Sequence, residues 1–403
     1  MESFDQIQPQ ISSQVERVMK VESVTMGTHE DHILAFYRGM LRKDSVEAYD
    51  QLSTALKSYN ITPLFRVEQD QHLILLTEGV IIPKPSNPWV NLVMFVLTLF
   101  SVLFAGAMYS YDGPVPNDTM GSILTLLKHL DTGLPFALSM LAILLAHEFG
   151  HYLAARYHKT AVTLPYFIPM PISILGTLGA FIQLKEPPKN RRILHDIGVA
   201  GPLAGLVVAL PILFVGLALS PVEVIQAPTA AGTGFMLEGN SIFYLAAKYI
   251  VHGELLPAPQ SYGGVSPVLY WLRYLFTGHP APFGGLDVMM HPLAWAGWAG
   301  LLVTALNLLP VGQLDGGHAL YVLLGRKARR AVPIVLGALF LLGFVWQGWW
   351  LWAALIYFLG QRHAEPLDQI TPLDSRRRTI AIVVLVLFVL LFTPIPLQQY
   401  FAG

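Results

Sequence analysis

The 403-residue sequence predicts an α-helical polytopic membrane protein with a core of about six or seven transmembrane segments, a re-entrant β-like loop and a small N-terminal α+β soluble domain. Three observations carry that expectation. Hydrophobic residues make up 54% of the chain and charged residues only 13%, against roughly 25% charged in a soluble globular domain. Apolar runs of membrane-crossing length recur from Trp89 onward, and clusters of Lys and Arg punctuate them on one side. Ahead of Trp89 the pattern differs, with short alternating and helical periodicities typical of a water-exposed fold.

Residues 1–82 form the first unit. Ile33 to Leu41 is strand-like, Val46, Tyr49, Leu52, Leu56 and Tyr59 recur at helical spacing behind Ser45 as the candidate cap, and Thr62 to Glu68 with Leu73 to Leu76 predict a hairpin around Asp70-Gln71. The start, Met1-Glu-Ser-Phe-Asp-Gln, is polar and acidic, so no cleavable signal peptide is expected.

Residues 83–133 hold a proline-rich linker, Pro83 to Pro88, and the first span, Trp89 to Met108, with Trp89 and Tyr109 near its ends. Residues 134–330 form the membrane core. Its first helix, Leu134 to Tyr157, ends in Arg156, His158 and Lys159, and a second basic cluster follows at Lys185, Lys189, Arg191 and Arg192. The positive-inside rule assigns this side to the cytoplasm. Between the clusters, the prolines of Leu164 to Leu184 forbid a continuous helix, while Gly176 to Leu184 has strand composition. Irregular backbone at membrane depth must line an enclosed cavity, so the segment reads as a re-entrant edge able to pair with an unwound peptide, or else as an ordinary surface loop.

The third span, Ile193 to Leu219, carries Gly198, Gly201, Ala204 and Gly205, a spacing read as close helix packing. Pro221 to Met290 is a less apolar connection with two amphipathic pieces, Ser241 to Val251 and Pro267 to Phe276, and its Glu238, His252 and His279 read as solvated. The fourth span, Pro292 to Leu309, runs into Pro310 and Gly312, which break it. Residues 331–403 supply the C-terminal spans. Ala331 to Gly360 is long for one span and short for two, and the basic stretch ending in Arg376-Arg377-Arg378 favours a tight hairpin.

Net charge of −1 gives no case for nucleic acid as a partner, and zero cysteines removes disulfides and thiolate ligands together. Any metal must be held by nitrogen and oxygen. The candidate ligands sit in the second span, where His147-Glu148-Phe149-Gly150-His151 matches H-E-x-x-H. Four residues apart on a helix, two imidazoles point the same way and can share one metal, with the carboxylate beside them in reach of its water. With 13 His and 26 acidic residues in the chain, about 0.03 chance matches are expected. The bland alternative is a pair of histidines satisfied by hydrogen bonds in a bundle. The broken fourth span ends in Asn307-Leu-Leu-Pro310-Val-Gly312-Gln-Leu-Asp315-Gly-Gly, which returns a carboxylate to the same membrane half. Charge is costly at that depth, so Asp315 is expected to contact the metal and complete the three-ligand set of a zinc hydrolase. Glu148 then serves as the proton acceptor, and the neutral Asn307 is placed to hold a substrate backbone or a developing oxyanion.

These two elements, in this order, resemble the site-2 protease family of intramembrane zinc metalloproteases, in its PDZ-lacking subgroup. The likeness runs from about Leu134 to Arg330, through Gly176-Thr177-Leu178-Gly179 and Gly201-Pro-Leu-Ala-Gly205. It implies one zinc ion per chain on His147, His151 and Asp315, Glu148 as general base, and Asn307 with the 176–179 loop as substrate-binding residues. It also implies single-pass transmembrane proteins as substrates, cut within or near their spans, membrane lipid as surroundings, and an upstream site-1-type protease as partner. The expected location is the plasma membrane of a bacterium, with the N-terminal module cytoplasmic. No PDZ domain and no nucleotide-binding pair is read in the sequence, so substrate selection by a PDZ domain is not expected. Two other functions fit parts of the pattern: a metal or proton transporter using the same three ligands, and a catalytically silent scaffold that binds membrane helices.

Overall fold

The structure is a computed structural model and describes residues 4–27, 32–227, 234–359 and 365–401. In the N-terminal unit, α1 (Phe4–Val18) leads into β1 (Met19–Met26) and β2 (Ile33–Leu41), then α2 (Ser45–Leu56), β3 (Ile61–Glu68) and β4 (Gln71–Glu78). The strands form one antiparallel sheet in the order β1-β2-β4-β3. Helical spacing puts Ile11 and Val15 of α1, and Ala48, Tyr49, Leu52 and Leu56 of α2, into a core with Tyr37, Phe65 and Ile74. The turn between β3 and β4 is made by Gln69 and Asp70, both at positive φ, as a two-residue hairpin turn requires.

Two elements here were not legible. The α1 segment carries Pro9 inside it, and β1 is exposed along most of its length, so neither shows a clean period. The cap also differs. Asp44, not Ser45, accepts from Val46 N–H at 2.9 Å, and Ser45 is buried with its hydroxyl 2.8 Å from that of Thr371.

The remainder is mostly helical. In order it contains α3 (Pro88–Ser110), α4 (Thr119–Lys128), α5 (Leu134–Tyr157), β5 (Tyr166–Pro169), β6 (Thr177–Phe181), α6 (Arg191–Ala218), β7 (Val222–Val224), β8 (Gly234–Glu238), α7 (Ile242–His252), α8 (Pro267–Thr277), β9 (Leu286–Val288), α9 (Pro292–Asn307), α10 (Asp315–Leu324), α11 (Ala331–Leu342), α12 (Gly348–Leu359), α13 (Ser375–Leu391) and β10 (Leu397–Phe401). Among the described residues three helices, α3, α5 with its preceding turn, and α6, are long and apolar enough to cross a membrane. Their caps follow local chemistry. Asn87 caps α3 ahead of Pro88, and Asn190 caps α6 by accepting from Ile193 N–H. Leu92, Val93, Leu97 and Phe100 of α3 and Ile382, Val386 and Val389 of α13 point outward. An apolar surface of that extent needs lipid or protein against it.

α5, α6 and α9 pack closely around Leu144, Leu206, Leu213, Trp298 and Ala305. The basic clusters gather at one end of this bundle with the N-terminal unit, and the 218–292 connection lies at the opposite end. The β5–β6 hairpin runs beside α3. Asn91 donates to Leu164 O and Pro165 O, Ser101 donates to Gly176 O at 2.5 Å, and Tyr109 donates to Ile174 O at 2.9 Å. Asn91 and Tyr109 are 18 residues apart, about 27 Å of helix, so the hairpin traverses membrane depth with its tip at the opposite end.

The stretch expected as a tight hairpin after residue 330 folds as α11 and α12, twelve residues each and packed together. Gly360, its expected last residue, lies outside the described residues. The following strap, residues 365–371, stitches the N-terminal unit to the bundle. Leu367 and Asp368 donate to Pro188 O and Lys189 O, Phe65 N–H donates to Leu367 O while its carbonyl accepts from Gln369 N–H, and Arg66 donates to the carbonyls of Pro366 and Leu367.

Glu238 is not solvated. It is 5% exposed, accepts from Tyr244 Oη at 3.0 Å and lies 3.6 Å from the fully buried Lys248, which also pairs with Asp287 at 3.3 Å. Its spacing to Lys248 and Asp287 is long in sequence, which hid the pairing. Burial, only partly offset by Lys248, pushes the Glu238 carboxyl up to about 7 from 4.5. The folded protein therefore holds a proton there that the unfolded chain has lost, and stability falls as pH rises from about 4.5 to about 7, then levels. The melting temperature of the purified protein is expected to drop across that range, and Glu238→Gln to flatten the drop. Lys248→Met, which strands both carboxylates, is expected to cost about 3–5 kcal/mol.

Candidate metal centre

The α5 sequence is apolar except for His147, Glu148 and His151, and helical geometry stacks the two imidazoles on one face. Their ring centroids are 5.0 Å apart and their Nε2 atoms 3.3 Å apart. Pro310 and Gly312 end α9 and turn the chain back, so that α10 starts at Asp315 with its Oδ2 3.4 Å from His147 Nε2 and 3.3 Å from His151 Nε2. The turn has no room for side chains at Gly316 and Gly317, where a Cβ would strike the backbone of Leu308 and Gly312.

Three donors at the corners of a 3.3–3.4 Å triangle fit a tetrahedral ion with bonds of about 2.0–2.1 Å, for which ligand atoms lie about 3.4 Å apart. His151 Nδ1 is 2.7 Å from the carbonyl of Ile197, which takes its proton and leaves Nε2 as a bare lone pair. Two nitrogens and a carboxylate converging in this way, with His147 and His151 only 4% and 7% exposed, repel one another unless a cation sits between them. The set suits zinc, with one position left for water or substrate. Among the described residues this is the one group of three His or acidic side chains with ligand atoms this close.

Glu148, 4% exposed, faces the same cleft and is bonded by the backbone N–H of Ile182, just beyond β6. Asn307 Nδ2 is 3.4 Å from His147 Nε2 at the rim. The cleft holds about 210 Å³ and is also lined by Ala180, Phe181, Ile182, Gln313 and His318. A larger cleft of about 380 Å³ lies between the N-terminal unit and the bundle, and it lacks such a group of donors.

All five expected polar residues, His147, Glu148, His151, Asn307 and Asp315, thus line one cleft. The 176–179 loop sits further along the hairpin. The Gly176 carbonyl and the Thr177 hydroxyl brace the hairpin, Thr177 by donating to Ile168 O, while Leu178 is exposed. Ala180 to Ile182 are the hairpin residues that reach the metal ligands.

Sequence reasoning missed the wall formed by α6. Gly201 is where a methyl group would fall on the His151 imidazole, Gly205 packs on His147, and Gly198 packs on His318. The small-residue spacing signalled close approach, but its neighbour is a metal ligand rather than another helix backbone. Next to Ile197, Asp196 is held by Arg377 through two bonds of 2.8 and 2.6 Å and by His158 at 3.0 Å. Three helices, α5, α6 and α13, are pinned together directly below the ligands.

The profile of Peptidase family M50 matches residues 135–345. "Probable zinc metalloprotease EGY1, chloroplastic" of Oryza sativa subsp. japonica is 33% identical over 80% of this chain and 53% of its own length. The Arabidopsis thaliana protein of the same name is 31% identical over 80% and 56%. "Probable zinc metalloprotease EGY2, chloroplastic" of Oryza sativa subsp. indica is 25% identical over 96% and 69%. The chain spans about half the length of the first two relatives. These relatives overturn the expected bacterial plasma membrane and its cytoplasmic N-terminal module, since they are plant proteins named as chloroplastic. Basic clusters mark which end of a bundle stays on the insertion side, not which membrane holds it.

Gly201→Ala is expected to lower zinc affinity at least about tenfold by displacing His151, read by chelator competition on the purified protein. Gly216→Ala, at the far end of the same helix and against α9, is the control: it is expected to lower the melting temperature while leaving zinc affinity unchanged.

Proposed function

The chain belongs to peptidase family M50, the site-2 protease family, and on that premise we propose that it is an intramembrane zinc metalloprotease hydrolysing peptide bonds within or near the spans of single-pass membrane proteins. The observation that carries the proposal is the 3.3–3.4 Å donor triangle of His147, His151 and Asp315 with Glu148 beside it.

His147, His151 and Asp315 hold the metal. When bound, zinc supplies Lewis-acid polarisation of the scissile carbonyl and activation of water. Glu148 would take a proton from the attacking water and pass it to the leaving amine. Burial keeps its carboxylate from competing water, and the Ile182 N–H fixes its orientation. Asn307 donates its amide hydrogens to the substrate carbonyl, where they strengthen as negative charge develops on the oxygen. Strand β6 (Thr177–Phe181) offers backbone groups to an unwound substrate, which a helical peptide cannot use. Bond cleavage in lipid therefore begins with local unfolding of the substrate.

The same reading assigns residues 1–82 to a soluble module, 83–133 to the linker and first span, 134–330 to the protease core and 331–403 to the C-terminal spans. Six or seven crossings result when α9 with α10, the α11–α12 hairpin and α13 join the three long helices. α3 and α13, with their outward apolar faces, meet membrane lipid. Chloroplast relatives favour a chloroplast membrane for the whole. The small cleft, about 210 Å³, favours substrates already shortened by another, site-1-type, protease.

Glu148→Gln is expected to keep its zinc and to lower cleavage of a single-pass reporter in detergent by about 10²–10⁴-fold, whereas Asp315→Asn is expected to lose both zinc and cleavage. Undiminished cleavage by Glu148→Gln would remove Glu148 as the base and with it the proposal, absence of any cut by the wild type would favour the scaffold, and metal uptake into proteoliposomes with no peptidase activity would favour the transporter.

A further inference from the structure

The cleft of about 380 Å³ between the N-terminal unit and the bundle falls within the size range of ligand sites, and hydrolysis at the metal does not use it. One wall comes from α2 and β3, the other from the turn after α5 and the segment before α6, with Leu367 of the strap between them. Each wall carries a lysine. Lys57 directly follows α2, and Lys159, in the left-handed region at φ 56°, lies two residues past the end of α5. Among the described residues neither is in an ion pair. A third lysine, Lys189, is held by Asp50 at 2.9 Å. The carboxylates here are engaged as well: Glu186 accepts from Ala161 N–H at 2.7 Å, and Asp368, close to Tyr49, accepts from the N–H groups of Ile370 and Thr371 and from the Thr371 hydroxyl. Three lysines against one carboxylate, Glu186, leave the lining with an excess of positive charge.

Two hydroxyls say what the charge is for. Tyr49 and Thr160, each 5% exposed, line the cleft from opposite walls, and among the described residues neither hydroxyl has a hydrogen-bond partner. A buried hydroxyl left without one is costly unless a ligand supplies it. Burial, with Asp368 and Asp50 nearby, raises the Tyr49 hydroxyl above its usual range, so it stays a donor. Ser53 and Thr54, by contrast, donate back to Asp50 O and are already satisfied. Two free ammonium groups and two free hydroxyl donors suit an anion with several oxygens, and lysine is a compact point charge for phosphate. The remaining lining is apolar, with Ile61, Val80, Ile81 and Leu367, which an inorganic ion leaves uncovered and an ester covers. Beside the cleft, Ile82, Trp89 at the start of α3 and Tyr157 at the end of α5 are exposed, the placing of apolar and aromatic residues at a membrane surface.

We propose that this cleft binds an anionic phosphate ester, its phosphate held by Lys57, Lys159 and the hydroxyls of Tyr49 and Thr160, and its apolar remainder laid against Ile61, Ile81 and Leu367. Two sources share that chemistry, the headgroup of an acidic phospholipid and a soluble phosphate ester, and the exposed Ile82, Trp89 and Tyr157 favour the lipid. The bound phosphate draws together a lysine of the N-terminal unit and one that lies eight residues beyond His151. It braces the unit on the bundle beside the strap and relieves the repulsion between the two ammonium groups.

The test uses the full purified chain in detergent and three probes: phosphatidylglycerol, glycerol 3-phosphate, and phosphatidylcholine, whose choline cation cancels the charge. Bound probe is counted by native mass spectrometry, with the melting temperature recorded in parallel. Phosphatidylglycerol or glycerol 3-phosphate is expected to bind and to raise the melting temperature, and phosphatidylcholine to do neither. Lys57→Gln combined with Lys159→Gln is expected to weaken that binding at least about tenfold, and Tyr49→Phe, which keeps the ring against Phe65, to weaken it about tenfold. Lys57→Arg with Lys159→Arg is expected to retain it, as is Lys43→Gln with Lys327→Gln, two lysines outside the cleft. Lys57 and Lys159 are exposed, so the probe-free melting temperature is expected to match that of the wild type. Tighter binding of phosphatidylglycerol than of glycerol 3-phosphate identifies the lipid as the source, and the reverse identifies a soluble ester; both support the site. Failure of the wild type to bind either anionic probe, or equal affinity in the wild type and the Lys57→Gln, Lys159→Gln protein, overturns the proposal and leaves the protease reading untouched, because no readout depends on cleavage.

Discussion

Two imidazole nitrogens and a carboxylate oxygen, held 3.3–3.4 Å apart in a bundle interior, set the terms for the rest of the structure. Such an arrangement is costly without a cation, and its partners must be rigid for a cation to find it tetrahedral. Each nearby feature meets that demand. The Ile197 carbonyl fixes one ring, the glycines of α6 let the helix come within contact of both, and the turn at Pro310 and Gly312 aims the carboxylate. The membrane adds the other half of the design: it removes bulk water, so that the groups admitted to the cleft are those the protein supplies.

The metal centre was legible because it is written in local signals. His147, Glu148 and His151 are three residues within five positions of one helix, and Asp315 announces itself as a carboxylate where hydrocarbon should be. Span boundaries were likewise legible where apolar length does the work: the helix read as Leu134 to Tyr157 is α5 over those same residues. The presence of α2 and of the β3–β4 hairpin followed from periodicity and turn chemistry, while their ends shifted: the cap is Asp44 rather than Ser45, the α-helix stops at Leu56, and the turn lies at Gln69-Asp70 rather than Asp70-Gln71.

What escaped was non-local or aperiodic. Glu238 finds Lys248 and Asp287 only after the 221–290 connection folds on itself, so spacing gave no hint of the pairing. Helix α1, with an internal proline, and the exposed strand β1 lack the apolar stripe on which periodicity depends. The α6 glycines were noticed for their size, yet a sequence does not say which neighbour needs the space. The Ile197 carbonyl is a backbone atom and leaves no residue-type signature at all.

The strap at residues 365–371 has a mechanical corollary. It leads within a few residues to Arg377, whose guanidinium grips Asp196, and Asp196 adjoins the carbonyl that orients His151. A pull on the sheet at Phe65 therefore reaches, through a path with few joints, one of the two imidazoles of the donor triangle.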